Sequence, residues 1–442
     1  MDTYRVEDYR AYAGSVLRDV NNELFILDQI RLRTKLEVQV QSNSEHRFIN
    51  YKALAFDPAF EQLIQEGAAL VDVGGGSIQI TLFRKGKAAT TKQIVLGLMR
   101  IREKLSGIET KVAHYESQIQ EIIDRELTIF RNLHLKNQEI KYVIIIGDYI
   151  GDIMKNAERR QEDGTIEADR FLKILKKLQK KNVQEIAKEL HFANEHDPLL
   201  IPSAVLYRRL AEAINAEYVW VPGVNVSDGI AYDYAERQKI LKPIHDFEAD
   251  ILAAARTLAA RYQSEPEHTE ALAELSEIIF DAMKKVHGLG RRERLLLQTA
   301  GILHDCGKYI SQVNQSELSY QIIMASEIIG MSHLERVIVA NTVRYHAGKL
   351  PAYEDVLKEM NQESYMVVAK LAAILRLANA MDRSHRQKFK SVKAVLKERQ
   401  LLITVEAKEN MVLEKMLFEM HAAAFEQVFS VWPLLREKRV PG

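Results

Sequence analysis

Cysteine is almost absent from this sequence of 442 residues, since Cys306 is the only one. A single cysteine excludes a disulfide bond within the chain and favours a reducing compartment. Long apolar runs are also lacking: no stretch of about 18 apolar residues occurs, so no membrane span is expected. The segment 1–10 is polar and acidic, unlike a signal peptide. These absences together predict a cytoplasmic protein.

An excess of charge of either sign is missing as well. Lysine and arginine total 61, aspartate and glutamate total 61, and the net charge is zero. The chain therefore has no overall positive field to attract nucleic acid or an anionic membrane. We expect no membrane partner and no sequence-specific nucleic acid, and any phosphate site has to be local. Hydrophobic residues make up 47% of the chain, enough for a sizeable core in roughly two to four domains.

The stretch 69–80 predicts a hairpin with an unusual turn. The largely apolar run 69–73 is typical of a buried strand, and 78–82 alternates as a half-buried strand does. Backbone amides in a turn without side chains can close around an anion, and a carboxylate at its mouth can hold a divalent cation against phosphate oxygens. An ordinary glycine-rich turn is the alternative. The residues concerned are Asp72, Gly74, Gly75, Gly76 and Ser77.

Four segments differ in their periodicity. Residues 1–66 predict strand, helix, strand and helix, and 67–240 hold the glycine hairpin and an apolar strand at 142–147. Residues 244–386 are nearly all helical, and 387–442 predict a small α+β cap. The fold class expected from this order is α/β followed by all-α.

Some of these predictions are specific enough to check. A strand is expected at 8–13, and continuous helices are expected over 15–33, 44–65 and 97–133. In the cap, strands are expected near 392–396 and 401–405, with a helix through 411–429.

Polar residues stand on the apolar faces of four predicted helices in the segment 244–386. An unpaired buried charge costs several kcal/mol, so residues that converge this way favour a shared metal ion, and imidazoles with carboxylates suit Mn²⁺, Fe²⁺ or Zn²⁺. Core histidines with hydrogen-bond partners, or buried ion pairs, are the alternative. Lys308, one turn after His304, could reach a phosphate on such a metal. The inward-facing residues are His268, His304 with Asp305 beside it, His346 and Asp382.

Three further histidines lie near predicted helix ends. We interpret His287, His333 and His385 as surface or capping residues.

The order of motifs resembles one known family. Residues 71–77 (VDVGGGS), Ser227–Gly229 (SDG) and then an HD-type helical domain resemble the exopolyphosphatase and guanosine pentaphosphate phosphohydrolase (Ppx/GppA) family. The resemblance implies a two-lobed, actin-like or sugar-kinase-like phosphatase core that uses Mg²⁺ in the cleft between its lobes. It further implies that terminal phosphate is released from polyphosphate or guanosine pentaphosphate.

The same resemblance assigns roles to individual residues. Asp72 is similar to the family's metal-associated aspartate, and Gly74–Ser77 are similar to its second phosphate loop. The segment 41–53 (QSNSEHRFINYKA) resembles the one that carries the proposed general base, which would be Glu45. Without the family, Glu45 is an ordinary acid at a helix N-terminus, after Ser42 or Ser44.

The sequence departs from the family pattern in several ways. The family's earlier glycine–serine phosphate loop is missing, so we expect the chain to begin part-way through lobe I, with 1–66 as its remnant. Gln79 stands where the family usually has glutamate, and 147–151 (GDYIG) replaces a glycine-rich turn followed by threonine. The four HD-type metal ligands are all present: His268, His304, Asp305 and Asp382.

Three functions stay open on the sequence. The first is an exopolyphosphatase-type enzyme with Glu45 as base. The second is a metal-dependent nucleotide phosphohydrolase centred on the HD-type residues, with Lys308 steadying the transition state. The third is a regulator that binds phosphate or nucleotide without turnover. An unprotected strand edge in the incomplete first lobe would pair with other chains, and the expected assembly is a homodimer.

Overall fold

The computed structural model describes residues 6, 9–14, 17, 20–105, 115–136, 139–155, 161, 163–190 and 198–438. The chain divides into two compact units, Met1–Asp250 and Ile251–Gly442. The division of the sequence into four segments stays a prediction, because these two units group the segments rather than separate them.

The described part of the first unit is built on a six-stranded mixed sheet in the order β5-β4-β3-β6-β8-β7. Strand β3 pairs antiparallel with β4 and parallel with β6. Every residue of β3 is buried, as expected of a strand covered on both faces. The strands are β3 (Ala68–Val73), β4 (Ile78–Arg84), β5 (Lys87–Ile94), β6 (Tyr142–Gly147), β7 (Ile166–Glu167) and β8 (Tyr218–Trp220).

A separate parallel pair precedes this sheet. Strands β1 (Ala11–Ala13) and β2 (Val38–Val40) pair in parallel, with helix α1 (Glu23–Thr34) between them. The predicted strand at 8–13 is described only from residue 9, and the beginning of the predicted helix 15–33 lies largely outside the described residues. Helix α1 buries none of its residues.

Two predicted helices of this unit are interrupted. The predicted helix 44–65 is two helices, because Asp57 caps a new helix and Pro58 stands at its first turn, where proline is tolerated. The predicted helix 97–133 is described as two helices, and 106–114 lie outside the described residues. The helices are α2 (Asn43–Leu54), α3 (Pro58–Gln65), α4 (Leu98–Leu105), α5 (Tyr115–Phe130), α6 (Ile150–Lys155), α7 (Ala168–Gln179), α8 (Val183–Glu189), α9 (Leu200–Ile214) and α10 (Val226–Arg237).

Helices dominate the second unit and surround one apolar core. The predicted helix that carries the His304–Asp305 pair ends at Leu303, and a 3₁₀ turn, Cys306–Tyr309, follows. Helix α11 (Phe247–Arg261) begins within the first unit. The other helices are α12 (Pro266–Ala282), α13 (Lys284–His287), α14 (Arg291–Leu303), α15 (Gln315–Met324), α16 (His333–His346), α17 (Gln362–Met381) and α18 (Val412–Phe429).

A three-stranded sheet completes the second unit. Strands β9 (Phe389–Lys397) and β10 (Gln400–Ala407) form the predicted hairpin, which is longer than expected. Strand β11 (Trp432–Glu437) was not predicted and pairs parallel with β10. Pro433 near its beginning is tolerated because β11 lies at the sheet edge.

Helix α17 is long and apolar enough to cross a membrane by length and composition alone. Of its most apolar window, 67% is buried inside the structure. Its residues Leu371, Leu375 and Leu377 have no exposed surface, so it serves here as a core helix.

Candidate functional site

The turn between β3 and β4 is held from one side by helix α4. Gly74 N donates to Ser77 O over 3.0 Å and closes the turn. Leu98 N donates to Gly74 O over 3.1 Å, and Met99 N donates to Gly75 O over 2.9 Å. In a planar trans peptide the C=O and N–H point in opposite directions. The N–H groups of Gly75 and Gly76 therefore point away from α4.

Glycine at position 97 is required by this contact. A Cβ atom on Gly97 would lie 2.3 Å from Gly75 O and 2.4 Å from Gly74 O. Any side chain there would push the turn away from the N-terminus of α4. The sequence signal for the turn thus extends beyond its own three glycines.

Helix α2 brings two polar side chains to the same turn. Arg47 Nη1 donates to Asp72 Oδ1, and Arg47 Nη2 donates to Ser77 O over 2.7 Å. Asn50 Nδ2 donates to Asp72 Oδ2 over 2.9 Å. The Arg47 and Asp72 side chains are each 6% exposed. Both oxygens of the predicted metal-binding carboxylate are therefore engaged by the protein itself.

Helix α10 fixes the position of α2, which explains the SDG segment. A Cβ atom on Gly229 would lie 2.2 Å from Ile49 O, so glycine permits the close helix contact. Lys52 Nζ adds ion pairs with Asp233 Oδ1 at 2.8 Å and Glu236 Oε2 at 2.6 Å. The glycine of SDG thus acts through packing and indirectly positions Arg47.

A cavity of about 320 Å³ opens beside the turn. The carboxyl end of β6 borders it: Tyr207 Oη donates to Asp148 O over 2.8 Å, and Tyr149 has a positive φ of 68°. Desolvation and the negative charge of Asp72 raise the pKa of the Asp148 carboxyl. The polar lining comprises Asn43, His46, Arg47, Asn50, Asp72, Ser77, Asp148 and Asn225, with the backbone of Gly74, Gly75 and Gly76.

Glu45, the predicted general base, does not line the cavity. It is exposed, its Oε2 accepts from Ser42 N over 2.8 Å, and Glu45 N donates to Ser42 Oγ over 3.2 Å. This reciprocal capping box is the ordinary interpretation of the sequence. Its role as general base stays a prediction that the geometry does not favour. Gln79 is buried on β4 directly opposite Asp72.

A second cluster lies in the second unit, where three buried histidines each use Nδ1 in a hydrogen bond within the protein. His304 Nδ1 donates to Gly301 O over 2.8 Å, and His346 Nδ1 donates to Val343 O over 2.5 Å. His268 Nδ1 pairs with Asp382 Oδ2 at 2.8 Å. Nδ1 is thus the donor in each ring, which leaves the lone pair of each Nε2 available to a ligand.

These Nε2 atoms have few hydrogen-bond partners within the protein. His268 Nε2 and His304 Nε2 lie 3.2 Å apart, and His346 Nε2 is buried without a hydrogen-bond partner. Asp305 Oδ1 lies 3.2 Å from His304 Nε2. Ligand atoms of His268, His304 and Asp305 all lie within 4.8 Å of one another, a donor set that fits a transition metal.

Two predicted members of the cluster have different positions from those expected. Asp382 is behind His268, where it orients the imidazole and also accepts from Gln387 N over 2.9 Å. A carboxylate in that place is typical of the second coordination shell of a metal site. Lys308 Nζ pairs with Asp305 Oδ2, so in the structure its charge is directed at Asp305.

Burial keeps two of these histidines neutral. It lowers the pKa of His304 to about 3 and that of His346 to about 4. Burial alone would raise the pKa of Asp305, but His304 and Lys308 outweigh it and hold that pKa below its ordinary value. His304 and His346 are therefore neutral and Asp305 is an ionised carboxylate, the protonation states in which these groups bind metal ions.

The three histidines predicted as surface or capping residues differ from one another. His287 is 1% exposed and so is not a surface residue, but it caps a helix end as the alternative predicted: its Nε2 donates to Phe280 O over 2.9 Å. His333 begins α16 and contacts Arg336. His385 stacks on His268 with ring centroids 3.6 Å apart, so it belongs to the wall of the cluster.

Sequence reasoning missed Arg47, Asn50 and Asp148. Arg47 and Asn50 are three residues apart on one helix and thus share a face, and both lie within the segment 41–53 that was already singled out. That spacing was an available signal. Asp148 lies in the segment 147–151, which was noted only as a departure from the family pattern. The sheet order, which spacing along the chain does not reveal, brings this β6 turn to the cavity.

The fold and this site define an α/β protein whose glycine turn and buried arginine border a polar cavity. The chain belongs to the Ppx/GppA phosphatase family: residues 1–238 match that family and residues 252–423 match Ppx/GppA phosphatase, domain III. The predicted fold class, α/β followed by a helical region, is confirmed.

Individual relatives are distant. A bifunctional 3-dehydroquinate synthase/phosphatase of Fusobacterium nucleatum is 24% identical over 120 residues, which are 27% of this chain and 18% of that protein. The chain thus spans less than a fifth of that relative's length. An Aquifex aeolicus Ppx/GppA structure has 14% identity and a TM-score of 0.41, covering 54% of this chain and 77% of that one. A Cytophaga hutchinsonii exopolyphosphatase has 14% identity and a TM-score of 0.44, covering 53% and 77%.

Proposed function

We propose that this chain hydrolyses phosphoanhydrides in the cavity beside Gly74–Ser77 and releases terminal phosphate from inorganic polyphosphate or guanosine pentaphosphate. The observation that carries the proposal is the convergence of turn amides and Arg47 on one polar cavity. Phosphoryl transfer depends chiefly on positioning and on neutralising oxygen charge. Family membership supports the same reaction class.

The cavity favours a phosphate chain over a bulky organic substrate. Its described lining is mainly polar side chains and glycine backbone, and no described phenylalanine, tyrosine or tryptophan lines it. A linear polyanion therefore suits it well, and a nucleotide would have to place its base outside the cavity. Inorganic polyphosphate is the substrate that we place first.

We assign the general base to Asp148 in preference to Glu45. Asp148 borders the cavity, and its raised pKa brings the carboxyl closer to the working range of a general base. Asp72 is less suited, because Arg47 and Asn50 hold both of its oxygens. The base would orient the attacking water and accept its proton.

The test is phosphate release from long-chain polyphosphate and, separately, from guanosine pentaphosphate. We expect Asp148→Asn to lower kcat with little change in KM, and Glu45→Ala to keep kcat. Asn50→Leu, which removes the hydrogen bond to Asp72 Oδ2, should impair turnover. Arg102→Met, at an exposed arginine on α4, is the matched control. Release that survives Asp148→Asn and disappears in Glu45→Ala would restore Glu45 as the base.

A second candidate function is favoured by the close Nε2 atoms of His268 and His304 and by the buried, unpartnered Nε2 of His346. His268, His304, His346 and Asp305 would hold a transition metal, and Asp382 would orient His268. When bound, such an ion supplies a water of lowered pKa at neutral pH. The chain's own residues fix the imidazole tautomers and, through Lys308, balance the charge of Asp305.

Activity assays separate the two candidates. If phosphate release depends on the cavity, it persists in His304→Ala and fails in Asp148→Asn; the reverse pattern transfers the chemistry to the histidine cluster. Tight binding of polyphosphate without release in any variant leaves the third function, a phosphate-responsive regulator.

The compartment and the assembly belong to the same proposal. The single cysteine, Cys306, supports a reducing cytoplasm, and we propose a homodimer, which size-exclusion chromatography with light scattering would test. A monomer at all concentrations would contradict it.

A further inference from the structure

Asp72 is the residue to which the family resemblance assigns a divalent cation, and in this chain an arginine stands against it. Arg47 Nη1 binds one carboxylate oxygen and Asn50 Nδ2 binds the other at 2.9 Å. Arg47 is part of helix α2, which buried ion pairs and the Gly229 contact hold in place. The pair is therefore built into the fold.

The donor set around Asp72 does not fit Mg²⁺. Magnesium needs carboxylate oxygens in near-ideal octahedral geometry and usually keeps several waters. A guanidinium in contact with the same carboxylate stays charged at any working pH and would repel the cation. Gln79, opposite Asp72 on β4, contributes no negative charge that could offset this repulsion.

The same arrangement suits an anion without a metal. The Arg47 guanidinium lies against the glycine turn, since a Cβ on Gly74 would come within 2.8 Å of its Nη2. Its described hydrogen bonds engage three of the five N–H donors that an arginine has. The amides of Gly75 and Gly76 point away from α4, and both residues border the cavity. Asp148, an exposed residue, borders the same cavity.

We propose that Arg47 takes the place of the divalent cation, so that the cavity binds the terminal phosphates of a phosphoanhydride chain directly and without Mg²⁺. The inference rests on the proposed function, because it concerns the same cavity and the same substrate class. It assigns the neutralising charge to Arg47 of α2, a residue to which the family resemblance gives no role.

The test measures binding of inorganic tripolyphosphate to the full chain by titration calorimetry, in EDTA and in excess Mg²⁺. We expect binding in EDTA, with no gain when Mg²⁺ is added. Binding that requires Mg²⁺ would overturn the inference. This comparison uses the unaltered protein, so it does not depend on whether a variant folds.

Variants then test whether Arg47 is the group that binds tripolyphosphate. Arg47→Met should weaken binding in EDTA about ten- to a hundredfold, since a charge-assisted contact is lost, and Arg102→Met should not. Arg47→Met should also acquire a dependence on Mg²⁺, because Asp72 is released. The double variant Arg47→Met/Asp72→Asn should acquire none. Unchanged binding in Arg47→Met would contradict the proposal.

Failure of this inference is distinguishable from failure of the proposed function. Tripolyphosphate binding in EDTA without any phosphate release upholds the role of Arg47 and rejects hydrolysis. Phosphate release that is strictly dependent on Mg²⁺ at this cavity upholds hydrolysis and rejects the role of Arg47. No binding in either condition rejects both.

Discussion

The glycine-turn cavity and the histidine cluster each pair a buried carboxylate with a cation of the protein, but they differ in what else surrounds that carboxylate. In the cavity, Arg47 and Asn50 satisfy both oxygens of Asp72. In the cluster, Asp305 pairs with Lys308 through one oxygen, its other oxygen lies near His304 Nε2, and His346 Nε2 is buried without a partner. The cavity therefore engages both oxygens of its carboxylate, whereas the cluster keeps imidazole nitrogens that could bind a metal ion. The difference indicates which of the two sites a metal ion would occupy.

The two regions also differ in the charge of their histidines. Burial would lower the pKa of His245 in the first unit, but Asp250 and Glu61 outweigh it and raise that pKa. In the second unit, burial dominates and lowers the pKa of His304 and His346. Carboxylate partners thus favour the charged imidazole, whereas burial favours the neutral form that binds metal ions.

The largest expected effect would come from breaking the Arg47–Asp72 pair. We expect Arg47→Met to lower the free energy of unfolding by about 3–5 kcal/mol, because it leaves a buried carboxylate without its cation. Urea denaturation can follow each unit separately, since Trp220 and Trp432 are the only tryptophans. The Trp432→Phe background reports the first unit and Trp220→Phe the second.

The double variant is the control for that prediction. Arg47→Met/Asp72→Asn removes both charges and should recover most of the loss. A loss of less than about 1 kcal/mol in Arg47→Met would mean that the pair is loosely held, and would remove the contrast between the two regions.

Metal removal should affect only the histidine cluster. We expect EDTA to destabilise the second unit, reported by Trp432, and to leave the transition reported by Trp220 unchanged, because metal binding adds to the stability of the folded state. His346→Ala and Asp382→Asn should each weaken metal binding about ten- to a hundredfold. His333→Ala, on the same helix as His346, is the matched control.

Metal analysis after gentle purification gives the decisive figure. The protein is purified without any chelator. Less than roughly a tenth of an equivalent of bound metal would then contradict the interpretation of the cluster as a metal centre.

Glu45→Ala should affect stability and spare catalysis. The capping box with Ser42 is expected to contribute about 1 kcal/mol, so the urea midpoint of the first unit should fall while phosphate release per folded molecule stays constant. Ser42→Ala, which removes the other half of the box, should behave the same way. Loss of release in Glu45→Ala alone would contradict this prediction.

The smallest effect concerns pH and His245. Its folded-state pKa is raised above the ordinary 6.5, so its contribution is fully present below about pH 6.5 and is lost as the pH rises through the folded-state pKa. We expect the first unit to lose stability over this interval. His245→Gln should flatten that pH dependence, with Tyr51, Glu61 and Asp250 unchanged around it. An unchanged slope would contradict the prediction.

Periodicity was sufficient for the elements that carry the sites. The apolar run before Gly74, the alternation after Ser77 and the helical stripe leading to His304 all predicted the local structure that is observed. Two predicted helices are longer than the observed ones. Pro58 is an overlooked signal that begins a new helix, and the helix before His304 ends at Leu303.

The roles within the sites were less predictable. Asp382 and Asp305 are both aspartates beside buried histidines, yet Asp382 binds Nδ1 of His268 and Asp305 lies near Nε2 of His304. Which side of an imidazole a carboxylate meets depends on ring orientation, and sequence spacing carries no information about it.

The sequence by itself determined which side chains are available: a turn of three glycines, an aspartate before it, and histidines on apolar helix faces. Only the tertiary structure decided what those side chains contact. Helix α2 crosses α10 at Gly229 and thereby delivers Arg47 to Asp72, residues 25 positions apart. Backbone propensity is local, whereas the pairing of a buried charge is settled by whichever partner the packing of helices and sheet brings within reach.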